Sequence, residues 1–135
     1  MYFNICNAVY NLIDDNKTYL KINKIYNYDK AVIDEWFPSC TIMPAANTAT
    51  ILDNSSYQIQ IPVQIRIMWD FDSLNTKEGQ IRTTADDIIK LLINNYILNG
   101  LAINCDLAFQ FWYTWDPAYR TFEIIANYTI DQSII

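Results

Sequence analysis

The sequence predicts a single-domain α+β fold: a mostly antiparallel sheet of four to five strands with two main helices packed on it, in the order α-β-β-β-α-β-β. Three observations predict it. Residues 57–71, YQIQIPVQIRIMWDF, alternate apolar and polar positions from end to end, the period of a half-buried strand. Residues 2–15 and the segment IRTTADDIIKLLINNY instead space their apolar residues by three and four, the period of a helix with one buried face. Near the end, LAFQFWYTW and FEIIANYTI alternate on either side of Asp116-Pro117-Ala118, which reads as a hairpin.

Composition bounds what such a chain does. Its 135 residues, 52% hydrophobic and 18% charged, suffice for one real core. The net charge of −6 argues against gripping a phosphate backbone, which takes clustered Lys and Arg, though DNA can pass nearby unbound. The chain contains no histidine, which removes Ser-His-Asp and Cys-His catalysis and every His-ligated metal. Gly79 and Gly100, the two glycines, cannot build a phosphate-binding loop. Cys6, Cys40 and Cys105 lie far apart with no C-x-x-C spacing, so they read as buried free thiols of a reducing cytoplasm. No signal-peptide pattern opens the chain, and no apolar run approaches the roughly 18 residues of a membrane span.

In chain order, Phe3, Cys6, Val9 and Ile13 mark the inner stripe of the first helix, which runs out at Asp14-Asp15-Asn16. Residues 19–28, YLKINKIYNY, read as a first strand and residues 37–43, FPSCTIM, as a short second one after Pro38. The small, polar stretch 44–56 reads as a loop or arm. After the 57–71 strand, Asn75 with Glu78 resembles a capping box, and the second main helix is expected from about 76 to 98. Its inner stripe is Ile81, Ala85, Ile88, Ile89, Leu92 and Tyr96, with Asn99-Gly100 as the stop. In the hairpin, Leu107, Phe109, Phe111, Tyr113 and Trp115 share one face, as do Phe122, Ile124, Ala126, Tyr128 and Ile130.

Several features have two readings at this level. Fifteen extended residues span about 50 Å, whereas a compact domain of this size is about 37 Å across. The strand therefore either bends at Pro62 or projects as part of an arm covered by another subunit. Its second face, Gln58, Gln60, Gln64, Arg66 and Met68, suits either solvent or a half-buried contact inside an oligomer. Trp112 faces outward if the hairpin's odd positions fill the core, and an outward Trp wants a cover. Asp70 and Asp72 at the strand end are the candidate cation ligands, against the reading of an ordinary acidic surface.

An amphipathic helix, the strand FPSCTIMP, a small-residue loop, YQIQIPVQIRIMWDF, the helix IRTTADDIIKLLINNY and the aromatic hairpin follow one another. This order resembles the tail terminator (tail completion) proteins of long-tailed bacteriophages, over nearly the whole chain and as a pattern of elements. The resemblance implies a homo-oligomeric ring, hexameric in that family, that caps the tail tube and joins it to the head. It implies a tail tube protein and a head–tail connector or neck protein as partners, passive DNA passage through the lumen, no membrane, and a place in the virion after assembly in the host cytoplasm. It carries over no catalytic residue, metal or cofactor. Candidate interface residues are Gln58, Gln60, Gln64, Arg66, Met68, Trp69 and Trp112, with 44–56 as a contacting arm. The alternatives are a head–tail stopper or tube-like protein, a monomeric cytosolic binding module, and an enzyme using a metal at Asp70 and Asp72.

Overall fold

The computed structural model describes residues 2–27, 37–45, 50–53, 58–70, 74–115 and 118–131. Along the chain they form α1 (Tyr2–Asp15), α2 (Lys17–Leu20), β1 (Lys24–Tyr26), β2 (Ser39–Pro44), β3 (Thr50–Asp53), β4 (Gln58–Asp70), α3 (Leu74–Asn94), a 3-10 turn (Leu98–Gly100), β5 (Asn104–Trp115) and β6 (Ala118–Asp131). The strands make one six-stranded sheet in the order β1-β2-β4-β6-β5, with β3 also on β4. The β1–β2 pair is parallel and the remaining pairs are antiparallel. The chain is thus an α+β domain with two main helices and a C-terminal hairpin.

Strand parity sets the core. Ile61, Val63, Ile65 and Ile67 of β4 are fully buried, and opposite them in register stand Tyr128, Ala126, Ile124 and Phe122 of β6, also fully buried. Ile5, Val9 and Ile13 of α1 and Ile81, Ala85, Ile88 and Leu92 of α3 close the same cluster, so both helices lie on one face of the sheet. Each fully buried aliphatic side chain contributes about 1.5–3 kcal/mol to this packing.

β4 keeps its regular pairing with β6 through all its 13 residues, a length of about 43 Å. Pro62 sits inside it without bending it out of the ladder. The amide of Ala45 donates to the Pro62 carbonyl at 3.1 Å, which places the backbone polar groups of Pro62 on the β2 side. There β2 pairs as far as Pro44↔Val63, and β3 takes over from Thr50↔Gln60. Proline, which cannot donate to a ladder, therefore occupies the seam where one partner strand ends and the next begins.

Three sequence expectations change. Residues 50–53, read as part of a loop, form β3, because β4 extends past the end of β2 and leaves an edge for the β-branched pair Thr50-Ile51 to fill; residues 46–49 and 54–56 of that stretch lie outside the described residues. In the expected first strand, residues 19 and 20 belong to α2 and only Lys24–Tyr26 is extended, with residue 28 outside the described residues. A tertiary bond favours the helical turn: the Thr84 hydroxyl of α3 donates to the Leu20 carbonyl at 3.0 Å. Finally, α3 stops at Asn94, where Asn95 donates from both its amide and its side chain to the Leu91 carbonyl. Tyr96 is then 45% exposed and Leu98 fills the core in its place. Asn99 and Gly100 do adopt left-handed backbone, but in the connection rather than at the helix end.

Candidate functional site

On the face of the sheet away from the helices, Gln58, Gln60, Gln64, Arg66 and Met68 do come together, half-buried, as the alternation requires. The structure adds partners from β6 that the sequence reading missed. Glu123 stands opposite Arg66 in register; its carboxylate accepts from Gln64 Nε2 at 2.9 Å and from Arg66 at 3.4 Å. The Asn127 side-chain amide donates to Gln60 Oε1 at 3.5 Å. The signal was present in the parity of FEIIANYTI, whose off-core members are Glu123, Ile125, Asn127 and Thr129. This is a cross-strand polar strip, held mainly by neutral amide and charge-assisted bonds; the Arg66–Glu123 pair, partly exposed on its Arg side, adds at most about 1 kcal/mol.

Trp69, expected at an interface, belongs to the core: it is 1% exposed on the face that carries Ile67 and Val63. Its odd position in β4 dictated this. Trp112 stands opposite Thr121 in the β5–β6 register, and its side chain lies outside what the structure describes.

The aromatic face of β5 departs most from expectation. Phe109 is 56% and Phe111 39% exposed, although their register partners Ile124 and Phe122 are fully buried. The reason is position: β5 ends the sheet, whereas α1 packs over β2 and β4. Phe111 stacks on Phe122 at 4.5 Å between centroids, and the Arg120 guanidinium lies 4.8 Å from the Phe111 ring. Arg120 also reaches Glu78 of α3 at 3.6 Å, tying the hairpin to that helix.

Between β5 and the end of α3 opens a hollow of about 230 Å³ lined by Leu92, Ile93, Tyr96, Asn104, Cys105 and Leu107. Ile93, Tyr96, Phe109 and Phe111 thus give the molecule an exposed apolar surface along one edge. Burial pushes the Cys105 thiol up to about 11, and Tyr128, its register partner, is likewise raised by burial first and by Cys105 second. Neither group is a ready nucleophile. Cys6 is also raised to about 11 by burial, and fully buried Cys40 is raised further. A second hollow, about 270 Å³, lies between α1 and the 3-10 turn and has Asp15 as its ionisable side chain.

Among the described residues no three His, Cys, Asp or Glu side chains gather as a metal site, and no helix is long and apolar enough to cross a membrane. Asp70 lies at the end of β4, while Asp72 is outside the described residues. The architecture is therefore an α+β domain with a polar strip on one sheet face and an uncovered apolar edge on the other. Compared with known proteins, the chain matches no family model and no curated sequence.

Proposed function

We propose that the chain is a structural subunit of the tail-terminator type, forming a hexameric ring that caps a phage tail tube and joins it to the head or neck. The observation that carries self-assembly is the β5 edge, where Phe109 and Phe111 are exposed and where exposed Ile93 and Tyr96 of the preceding segment line the hollow at Cys105 and Leu107. Water-exposed clusters of this kind mark contact surfaces. The order of elements, with a long central strand and an aromatic C-terminal hairpin, supports the narrower assignment through its resemblance to that family. On this reading the partners are other copies of the chain, a tail tube protein and a head–tail connector or neck protein. DNA passes through the lumen without being gripped, which suits a net charge of −6. The role is non-enzymatic, in the virion, after assembly in the host cytoplasm.

Light scattering on a sizing column followed by negative-stain imaging tests this. Rings of about six copies are expected. A monomer at concentrations on the order of tens of micromolar counts against the ring and favours a binding module; open stacks in place of closed rings favour a tube-like protein.

A further inference from the structure

We propose that the free edge of β5 pairs antiparallel with β5 of a second copy about a two-fold axis at Gln110, joining two six-stranded sheets into one. The inference does not depend on the ring. Successive neighbours in a closed cyclic ring meet through unlike surfaces, whereas a two-fold contact uses the same surface on both copies. The β5 edge then serves this two-fold contact, and the successive neighbours of a ring meet through other surfaces.

The first ground is the edge itself. β5 ends the strand order, and among the described residues β6 alone pairs with it. Its register with β6 runs unbroken from Asn104↔Thr129 to Trp115↔Ala118, with no bulge to twist the edge away. Soluble proteins usually blunt such edges with lysine, proline or bulges. The strand NCDLAFQFWYTW has no lysine or proline, and Asp106 is its single charge.

The second ground is self-complementarity in charge and shape. An axis at Gln110, near the middle of the strand, sets Phe109 opposite Phe111, Ala108 opposite Trp112 and Leu107 opposite Tyr113. Asp106 falls opposite Thr114, so the two carboxylates do not face each other, the arrangement that would oppose pairing. Aromatic pairs across strands favour it.

The third ground is area. At 56% and 39% exposure, Phe109 and Phe111 leave uncovered about the surface of one whole aromatic side chain, roughly 200 Å² per copy. Ile93 at 56% and Tyr96 at 45% bring this to roughly 400 Å², about half of the roughly 800 Å² per partner of a standard interface before the backbone edge is counted.

Cysteine crosslinking tests the axis, because a residue on a two-fold axis meets its own copy. In a Cys105→Ser background, Gln110→Cys is expected to oxidise to a disulfide-linked dimer, since directly opposed Cα atoms in an antiparallel pair lie about 4.5–5.5 Å apart. Ala108→Cys, which faces Trp112 instead, is expected to give several-fold less dimer under the same oxidant. Phe109→Lys, and independently Ala108→Lys at an exposed position, should lower the mass seen by light scattering while circular dichroism stays that of the parent. Equal crosslinking of the 110 and 108 variants overturns the proposal, as does an unchanged mass in a folded lysine variant. Rings in which Gln110→Cys does not crosslink overturn it too and leave the ring reading standing.

Discussion

Ala45 donates its amide to the carbonyl of Pro62 at 3.1 Å, and Pro62 has no N–H with which to return the bond. In an antiparallel ladder such a pair would exchange two bonds. The missing one coincides with the end of β2, so the proline decides where β2 stops and where the edge of β4 becomes open to β3. Pro62→Val should therefore leave stability within about 1 kcal/mol of the parent. Moving the ring one residue on, with Pro62→Val and Val63→Pro together, points it at β6 and should cost about 1–3 kcal/mol through a lost bond and a buried unpaired carbonyl. Urea midpoints measure both, and equal midpoints would refute this account of the seam.

Two isoleucines on α3 separate folding from assembly. Ile88 is fully buried and Ile93 is 56% exposed at the apolar edge. Ile88→Ala should lose about 2–5 kcal/mol. Ile93→Ser should change stability by about 0.5 kcal/mol or less and weaken self-association measured by sedimentation. A stability loss at Ile93 as large as that at Ile88 would make this surface part of the monomer core.

Glu123 holds the polar strip together by accepting from both Gln64 and Arg66. Glu123→Ala should cost about 1–2 kcal/mol because it strands the half-buried Gln64 donor and removes an acceptor from Arg66, and Glu123→Gln, which keeps an acceptor, should cost less. Thermal unfolding ranks the two; an equal loss would mean that packing, rather than the shared acceptor, sets the cost.

Alkaline pH should destabilise the fold. Burial pushes Cys6 and Cys105 up to about 11, whereas an unfolded thiol ionises near 8.5. Between those values the unfolded chain has lost protons that the folded chain keeps, so unfolding gains as pH rises. The stabilising difference is whole below about pH 8.5 and is lost as pH climbs toward 11. Denaturant midpoints from pH 7 to 10.5 should fall, and less steeply in Cys105→Ser. A flat profile would show that these thiols do not titrate differently in the two states.

Much of this architecture is legible because parity and period are local. The odd positions of β4 and the even positions of β6 announce the core, and α1 and α3 announce the helices that cover it. The same parity places Trp69 inside, in the core rather than at an interface. The Gln58–Met68 face is equally local, but its partner Glu123 lies 57 residues from Arg66, and only pairing brings them together.

By itself, then, the sequence determined the class of fold, the two helices, the hairpin and which side of each long strand is apolar, since side-chain direction follows the backbone period. Tertiary structure alone decided the rest. Strand β3 exists because β4 outruns β2. Pro62 is tolerated because its amide position falls at their seam. Phe109 and Phe111, apolar by the same rule as Ile124 and Phe122, stay open because β5 is the last strand of the sheet. Apolar pattern says which way a side chain points; only the assembled layers say whether anything lies over it.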